Sequence, residues 1–202
     1  MNDIINDTKA RILKTAVNLF ANEGFAGASI RKIASEADVN IAAINYHFRT
    51  KENLLFESFL HSYEVLRNEI NSIQENNSPV AFILSIYDLL TENNPNVING
   101  LRLVIQLDQQ NQESRHKKVL VNETFGYPGS EKFIALVNKE RQNPISHEDA
   151  LWLCQVIFSF IIHNAFNLVC MIKFFESVEI AFDSKKDTRE QLKRTVETLL
   201  YQ

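Results

Sequence analysis

Cysteine is scarce in this chain. Only Cys154 and Cys170 occur in 202 residues. Both fall in one expected helix, sixteen residues apart, so they lie far apart along its axis, on different faces, and do not bridge each other. Reduced thiols in a cytoplasmic protein are the plain reading. Long hydrophobic runs are also missing. No stretch of about 18 uncharged apolar residues appears, which predicts no membrane span. The densest apolar stretch, Leu151 to Phe175, is interrupted by Gln155, His163, Asn164 and Lys173. The opening MNDIINDTKAR has neither the basic start nor the apolar core of a secretory signal. There is no Gly-rich phosphate loop and no G-x-S-x-G elbow. Nowhere do His, Cys, Asp and Glu share metal-ligand spacing. These absences speak against an enzyme and a metal sensor, and they predict no cofactor.

What is present is a globular composition, 45% apolar and 23% charged, in a chain long enough for one large or two small domains. The formal charge of −4 does not by itself suggest a nucleic-acid partner. Its distribution is more informative. Residues 1–51 carry seven Lys and Arg against five Asp and Glu, whereas residues 52–202 carry fourteen against twenty. A mildly basic head on an acidic body suits a protein that meets phosphate through a few placed contacts.

The periodicity is helical throughout, with no alternating strand pattern and no internal repeat. A first helix is expected from about Thr8 to Asn22, stopped by Gly24. Ser29 caps a second helix, Asn40 begins a third, and Thr50 caps a long fourth one carrying Leu54, Leu55, Phe59, Tyr63, Leu66, Ile70 and Ile73. Ser78 and Pro79 restart the chain after a break at Asn76-Asn77. Further helices are expected at about Val97–Gln109, Ser130–Gln142, His147–Phe175 (capped by Ser146, with Asp149 three residues on) and Lys185–Tyr201. The cluster Gly126-Tyr127-Pro128-Gly129 reads as a turn.

The segment of residues 30–54, IRKIASEADVNIAAINYHFRTKENL, concentrates the chemistry. Ile30, Ile33, Ala34 and Ala37 recur at helical spacing. After a break at Asp38, the stripe continues through Val39, Ile44 and Phe48. Between these lie Asn40, Ile41, Ala42, Asn45, Tyr46 and His47, so the second of the two short helices shows solvent a small, mostly uncharged face. Small side chains let a helix sink into a groove, and Asn, Tyr and His offer hydrogen bonds to bases and phosphates. That is the pattern of a helix-turn-helix recognition element.

From about Lys9 to Leu55 the chain resembles the DNA-binding domain of the TetR family of bacterial transcriptional regulators. Ile12, Leu13, Ala16, Leu19, Phe20 and Gly24 match the family's first helix. Ser29, Ile33 and Ala34 match its second, and Tyr46, Phe48, Lys51 and Leu54 match the segment that follows the recognition helix. Asp38 departs from the pattern, standing where the family most often has glycine; the turn there commonly needs a left-handed backbone, which Asp tolerates at some cost. The resemblance implies an all-α chain with a three-helix head at residues 1–50 and a helical effector-binding and dimerisation body at 51–202. It places Ile41, Ala42, Ala43 and Asn45 toward the bases and Tyr46 and His47 at the phosphates, with Asn40 among the DNA-binding residues. Lys51 anchors a phosphate from the start of the fourth helix, and Ser29 and Arg31 hold the DNA backbone from the second. It also implies a homodimer on a pseudo-palindromic double-stranded operator, with repression relieved by a small molecule.

The body is less explicit. The helix from Leu151 is apolar nearly all round, through Trp152, Val156, Phe160, Ile162, Phe166 and Val169, so it meets a second surface: a partner subunit or a core on both flanks. Phe, Tyr87, Trp152, Phe125 and Phe133 supply material for an apolar pocket, for which Arg102, Gln106, Trp152, His163 and Asn164 are the candidate lining residues. A small apolar or aromatic effector fits that reading. His163 and Asn164 are equally a satisfied core or interface pair. His61, His116 and His147 read as solvated surface residues. Two alternatives remain open: a TetR-like DNA-binding protein without an effector, such as a nucleoid or division factor, and a helical-bundle enzyme.

Overall fold

A computed structural model describes residues 2–74, 78–92, 98–100, 102–103, 106, 126–166 and 185–201. Among these, every regular element is a helix: α1 (Asn2–Gly27), α2 (Ile30–Glu36), α3 (Ile41–Phe48), α4 (Lys51–Ser72), α5 (Pro79–Thr91), α6 (Ser130–Glu140), α7 (His147–Phe166) and α8 (Lys185–Tyr201). Residues 98–100, 102–103 and 106 are helical as well. Of the expected elements, Phe125, Val169, Cys170 and the stretch 167–175 lie outside the described residues.

The starts of the helices follow from side-chain oxygens that satisfy free backbone N–H groups. Ser29 Oγ accepts from Lys32 N at 3.1 Å, Asn40 Oδ1 from Ala42 N at 2.8 Å and Thr50 Oγ1 from Asn53 N at 3.1 Å. Ser78 Oγ accepts from Ala81 N at 3.2 Å, with Pro79 at the first helical position. Ser146 Oγ accepts from Asp149 N at 3.1 Å and donates to Asp149 Oδ2 at 2.6 Å. The first helix begins earlier than Thr8, at Asn2, and its regular backbone breaks at Gly24 (φ 75, ψ 170) before a last turn to Gly27.

The chain divides into two compact units, Met1–Leu66 with Pro95–Lys117, and Arg67–Asn94 with Lys118–Gln202. The division falls inside α4 and not near residue 50, because Leu54, Leu55 and Phe59 are buried in the same apolar cluster as the head helices. Ile12, Ala16, Phe20, Ile33, Ile44 and Phe48 form the centre of that cluster, and Leu103 from the later segment completes it. The stripe at every third or fourth residue of α1 is what makes this core possible: it faces α2 and α3 while Arg11, Lys14 and Asn18 stay exposed.

In the second unit α5 packs against α6, α7 and α8. Phe82, Ile83, Ile86, Tyr87, Phe133, Cys154, Ile157, Ile161, Leu192 and Val196 are buried there. Tyr127 stacks on Phe158 at 5.3 Å between ring centroids. Arg189 Nε donates to both carboxylate oxygens of Asp88, at 2.9 and 3.0 Å, and ties α8 to α5. Gly129, in the left-handed region at φ 86, lets the backbone pass Ile70, whose Cγ2 would stand 2.7 Å from an added Cβ.

Taken alone, α7 is long and apolar enough to cross a membrane, a property that counting uncharged runs overlooked because His163, Gln155 and Asn164 are polar but uncharged. In the fold it packs against α5 and α8. Ala150, Leu153, Cys154, Ile157, Phe158, Ile161 and Ala165 are buried. Leu151, Trp152 and Ile162 remain on its open side. The thiol of Cys154 is free and buried.

Candidate nucleic-acid interface

The interface is built from the ends of short helices. At the end of α2 the chain closes a double turn: Val39 N donates to Ala34 O at 3.0 Å and Asp38 N to Ser35 O at 3.3 Å. This is the helix-terminating pattern that requires one left-handed residue, and Asp38 takes it, at φ 52. Val39 then packs on the cluster that holds Ala34. The direction in which α3 leaves the turn is set there.

In α3, Ile44 and Phe48 point inward and anchor the helix. Ile41, Ala42, Asn45 and Tyr46 are exposed, and Ala43 and His47 are half-buried. Tyr46 is 77% exposed and Ile41 38% exposed, two large side chains turned outward on the same short helix. Tyr46 meets the His47 ring edge-on at 5.2 Å. The Oδ1 of Asn40 accepts from Ala42 N in its cap, which leaves both Nδ2 donors for a base or a phosphate. Likewise Ser29 Oγ, which accepts from Lys32 N, retains its O–H to donate.

The cations around this face are not equivalent. Lys32 Nζ is hydrogen-bonded to Glu23, which raises its pKa and neutralises much of its charge locally. Arg31 and Arg49 are exposed. Arg49 terminates α3 at φ 63, its N–H donating to Asn45 O at 3.0 Å. Lys51 opens α4, with its Nζ 4.4 Å from the centroid of the Phe25 ring. Asn53 Nδ2 donates to Phe48 O at 3.0 Å and fixes the junction of α3 with α4. The structure thus brings Asn40, Ile41, Ala42, Ala43, Asn45, Tyr46 and His47 onto one short helix, with Ser29 and Arg31 at the start of α2 and Lys51 at the start of α4. Arg49, Phe25 and Arg11 were not singled out from the sequence. An apolar neighbour for Lys51 two dozen residues away leaves no local signal, and neither does a positive φ at an arginine.

The five residues expected to line an effector pocket are placed differently. Arg102 Nη1 donates to Asn22 Oδ1 at 3.2 Å, and Gln106 Nε2 donates to Phe20 O at 2.6 Å, so both are engaged with α1. Gln106 Oε1 is buried without a hydrogen-bond partner. Trp152 and His163 are exposed on α7. Asn164 Nδ2 donates to Phe160 O, one turn back on its own helix, at 2.8 Å. That bond uses one donor of the amide without a ligand. His61, expected on the surface, is half-buried, and desolvation pushes its pKa down. No group of three or more His, Cys, Asp or Glu positioned for a metal occurs among the described residues.

Residues 12–57 match the family of bacterial regulatory proteins known as the tetR family. YttP of Bacillus subtilis, an HTH-type regulator, is 35% identical over 88 residues, covering 42% of this chain and 42% of that protein. The HTH-type transcriptional repressor NicS of Pseudomonas putida is 41% identical over 56 residues, covering 28% of this chain and 26% of that protein. The chain therefore spans less than half the length of these curated relatives. Over nearly its whole length it resembles solved structures. A transcriptional regulator from Rhodococcus sp. Rha1 matches with TM-score 0.71 at 13% identity, over 95% of each chain. A TetR-family transcriptional regulator from Haemophilus influenzae matches with TM-score 0.63 at 18% identity, over 94% of this chain and 96% of that one. Residues 12–57 thus match the tetR family of bacterial regulatory proteins, and the helical fold of the described residues resembles that of solved transcriptional regulators.

Proposed function

We propose that this chain is a transcriptional repressor that binds a pseudo-palindromic double-stranded operator as a homodimer and is released by a small apolar or aromatic molecule. The observation that carries the DNA-binding reading is the outer face of α3. Ile41, Ala42, Asn45 and Tyr46 stand exposed on a helix pinned from behind by Ile44 and Phe48. Alanine and isoleucine suit a thymine methyl, asparagine suits adenine, and Tyr46 with His47 reaches phosphate. Arg31, Arg49 and Lys51 flank that face as the cations available to the backbone. A dimer places two such helices in successive major grooves, so half-sites fall about one helical turn apart.

The homodimer reading rests on Leu151, Trp152 and Ile162, large apolar residues left exposed along the open side of α7. The repressor reading draws on NicS, a relative that bears the name of repressor. Release by an effector requires that the molecule bind the DNA-free state more tightly, and linkage then weakens DNA binding by the same factor.

The test is selection of duplexes from a random pool with the purified chain, followed by titration of the selected duplex. A two-fold-related pair of half-sites, bound with an affinity that falls steeply with salt, is the expected result. Absence of any preferred duplex overturns the reading. Thermal-shift screening of apolar compounds, with DNA titration of each hit, tests the effector. A full screen without a compound that releases DNA favours an effector-free DNA-binding protein.

A further inference from the structure

The turn between α2 and α3 is braced from outside the helix-turn-helix. Arg11, an exposed residue of α1, donates from Nη2 to the main-chain carbonyl of Asp38 at 3.0 Å. Asp38 is the residue at φ 52. An L-residue with a side chain adopts that region reluctantly, and a free aspartate relaxes toward ordinary backbone angles. Any such relaxation rotates the peptide that follows, breaks the bond from Val39 N to Ala34 O, and re-aims the start of α3. The Asp38 carbonyl belongs to that same peptide unit, so a hydrogen bond to it opposes this rotation directly. Arg11 is suited to the task, since the forked donors of its guanidinium are planar and stiff.

We propose that Arg11 is a positioning residue for the recognition helix: by holding the Asp38 carbonyl it keeps the left-handed turn closed and fixes where α3 begins. This rests on the reading of α3 as the DNA-contacting helix. Arg11 itself meets no DNA in this proposal. Its removal therefore acts on the selectivity of binding and not on the number of phosphates neutralised.

The experiment compares wild type with Arg11→Ala, Arg11→Lys, Asp38→Gly and the Arg11→Ala/Asp38→Gly double variant. The DNA probes are a duplex selected by wild type and a scrambled duplex of equal length. Amide hydrogen exchange at Asp38 and Val39 reports the turn without DNA, so the brace is tested even if DNA binding fails. Arg11→Ala is expected to speed those two amides by about threefold or more while leaving the amides of the α1 core unchanged. It is expected to weaken the selected duplex by about three- to tenfold, leaving the scrambled duplex and the salt slope as in wild type. Arg11→Lys, which keeps one donor, restores most of the loss. With glycine at residue 38 the turn closes unaided, so the same Arg11→Ala change is expected to cost less than about twofold. Wild-type exchange at Asp38 and Val39 in Arg11→Ala overturns the proposal. So does an equal loss on both duplexes with a slope lowered by about one, which marks Arg11 as a phosphate contact. Failure of wild type to select any duplex overturns instead the DNA-binding reading on which the role of α3 rests.

Discussion

Lys51 carries its ammonium 4.4 Å from the centre of the Phe25 ring. The two come from different elements of the head: Phe25 follows the break at Gly24, and Lys51 is the first residue of α4. Phe25 is in turn stacked on buried Phe20 at 6.0 Å, so the platform is fixed from beneath. A cation over an aromatic face gains about 0.5–1 kcal/mol at an exposed site. Here that attraction restrains a long, flexible side chain beside the free N–H groups at the start of α4, where an anion is favoured.

Lys51→Ala is therefore expected to weaken binding to every duplex alike and to lower the slope of log affinity against log salt by about one. Phe25→Leu keeps an apolar residue and the charge at Lys51 but removes the platform. It is expected to weaken binding about two- to fivefold with the slope unchanged. Anisotropy titrations at several salt concentrations separate the two. An unchanged slope in Lys51→Ala removes Lys51 from the phosphate contacts.

Asn45 is exposed in the middle of α3, and its main-chain oxygen accepts from Arg49 N at 3.0 Å. Asn45→Ala leaves that bond in place. It is expected to relax base preference at one position in each half-site, by about 1–3 kcal/mol of discrimination, with little effect on non-specific binding. Repeating the duplex selection with the variant reads this directly, and a recovered sequence identical to that of wild type assigns base reading elsewhere on α3.

The head was legible because its signals are local. Ser29, Asn40, Thr50, Ser78 and Ser146 each announce a helix start within three residues of the N–H they satisfy, and the spacing of Ile33, Ile44 and Phe48 declares the buried side. Asp38 was legible too: a turn that requires a left-handed residue shows itself as a departure from glycine, and φ is 52 there. The hydrogen-bond partners of the effector candidates were not legible. Arg102 and Gln106 are committed to Asn22 and Phe20, some eighty residues away, and no periodicity reports a partner at that distance. Asn164 reads in the sequence as a buried amide, and in the fold it is half-buried, with its Nδ2 donating to a carbonyl one turn back. The extent of the first compact unit, to Leu66, has no local signal either, since α4 runs without interruption through that point.

Two glycines of one turn are expected to differ sharply. Gly126 and Gly129 both have positive φ, at 83 and 86, but an added Cβ at Gly126 meets nothing within 4 Å, whereas at Gly129 it meets Ile70 Cγ2 at 2.7 Å and Ile86 Cδ1 at 3.3 Å. Gly126→Ala bears only the backbone penalty, about 1–2 kcal/mol. Gly129→Ala adds overpacking against buried Ile70 and is expected to lose about 2–4 kcal/mol in all. Denaturant melts of the two variants check this, and equal losses contradict the packing around Ile70.

Trp152 is 56% exposed on α7, with Leu151 and Ile162 on the same open side. If this face joins two copies, Trp152→Glu buries an unpaired charge at the joint and is expected to yield monomers at micromolar concentration. Sedimentation velocity gives the outcome: wild type at twice the chain mass and the variant at one. A wild-type monomer, or a Trp152→Glu dimer, removes the face from the assembly.

Cys154 makes alkaline stability testable. The thiol is fully buried, and desolvation pushes its pKa from the ordinary 9.0 up to about 12. In the unfolded chain the thiol loses its proton near the ordinary value, whereas in the folded chain it keeps it. The folded state thus binds more protons above pH 9, and stability falls as pH rises through that range. Below the unfolded value both states are protonated and the contribution is complete. The loss approaches about 1.4 kcal/mol for each pH unit between the two values. Other groups titrate in the same range, so the measurement is a difference: urea melts of wild type and Cys154→Ala at about pH 8 and about pH 10. The variant carries a constant packing penalty at both values, and its deficit relative to wild type is expected to shrink by about 1 kcal/mol at the higher pH. A deficit that stays constant shows that water reaches the thiol between α7 and its neighbours, which contradicts the burial of Cys154 against α5 and α8.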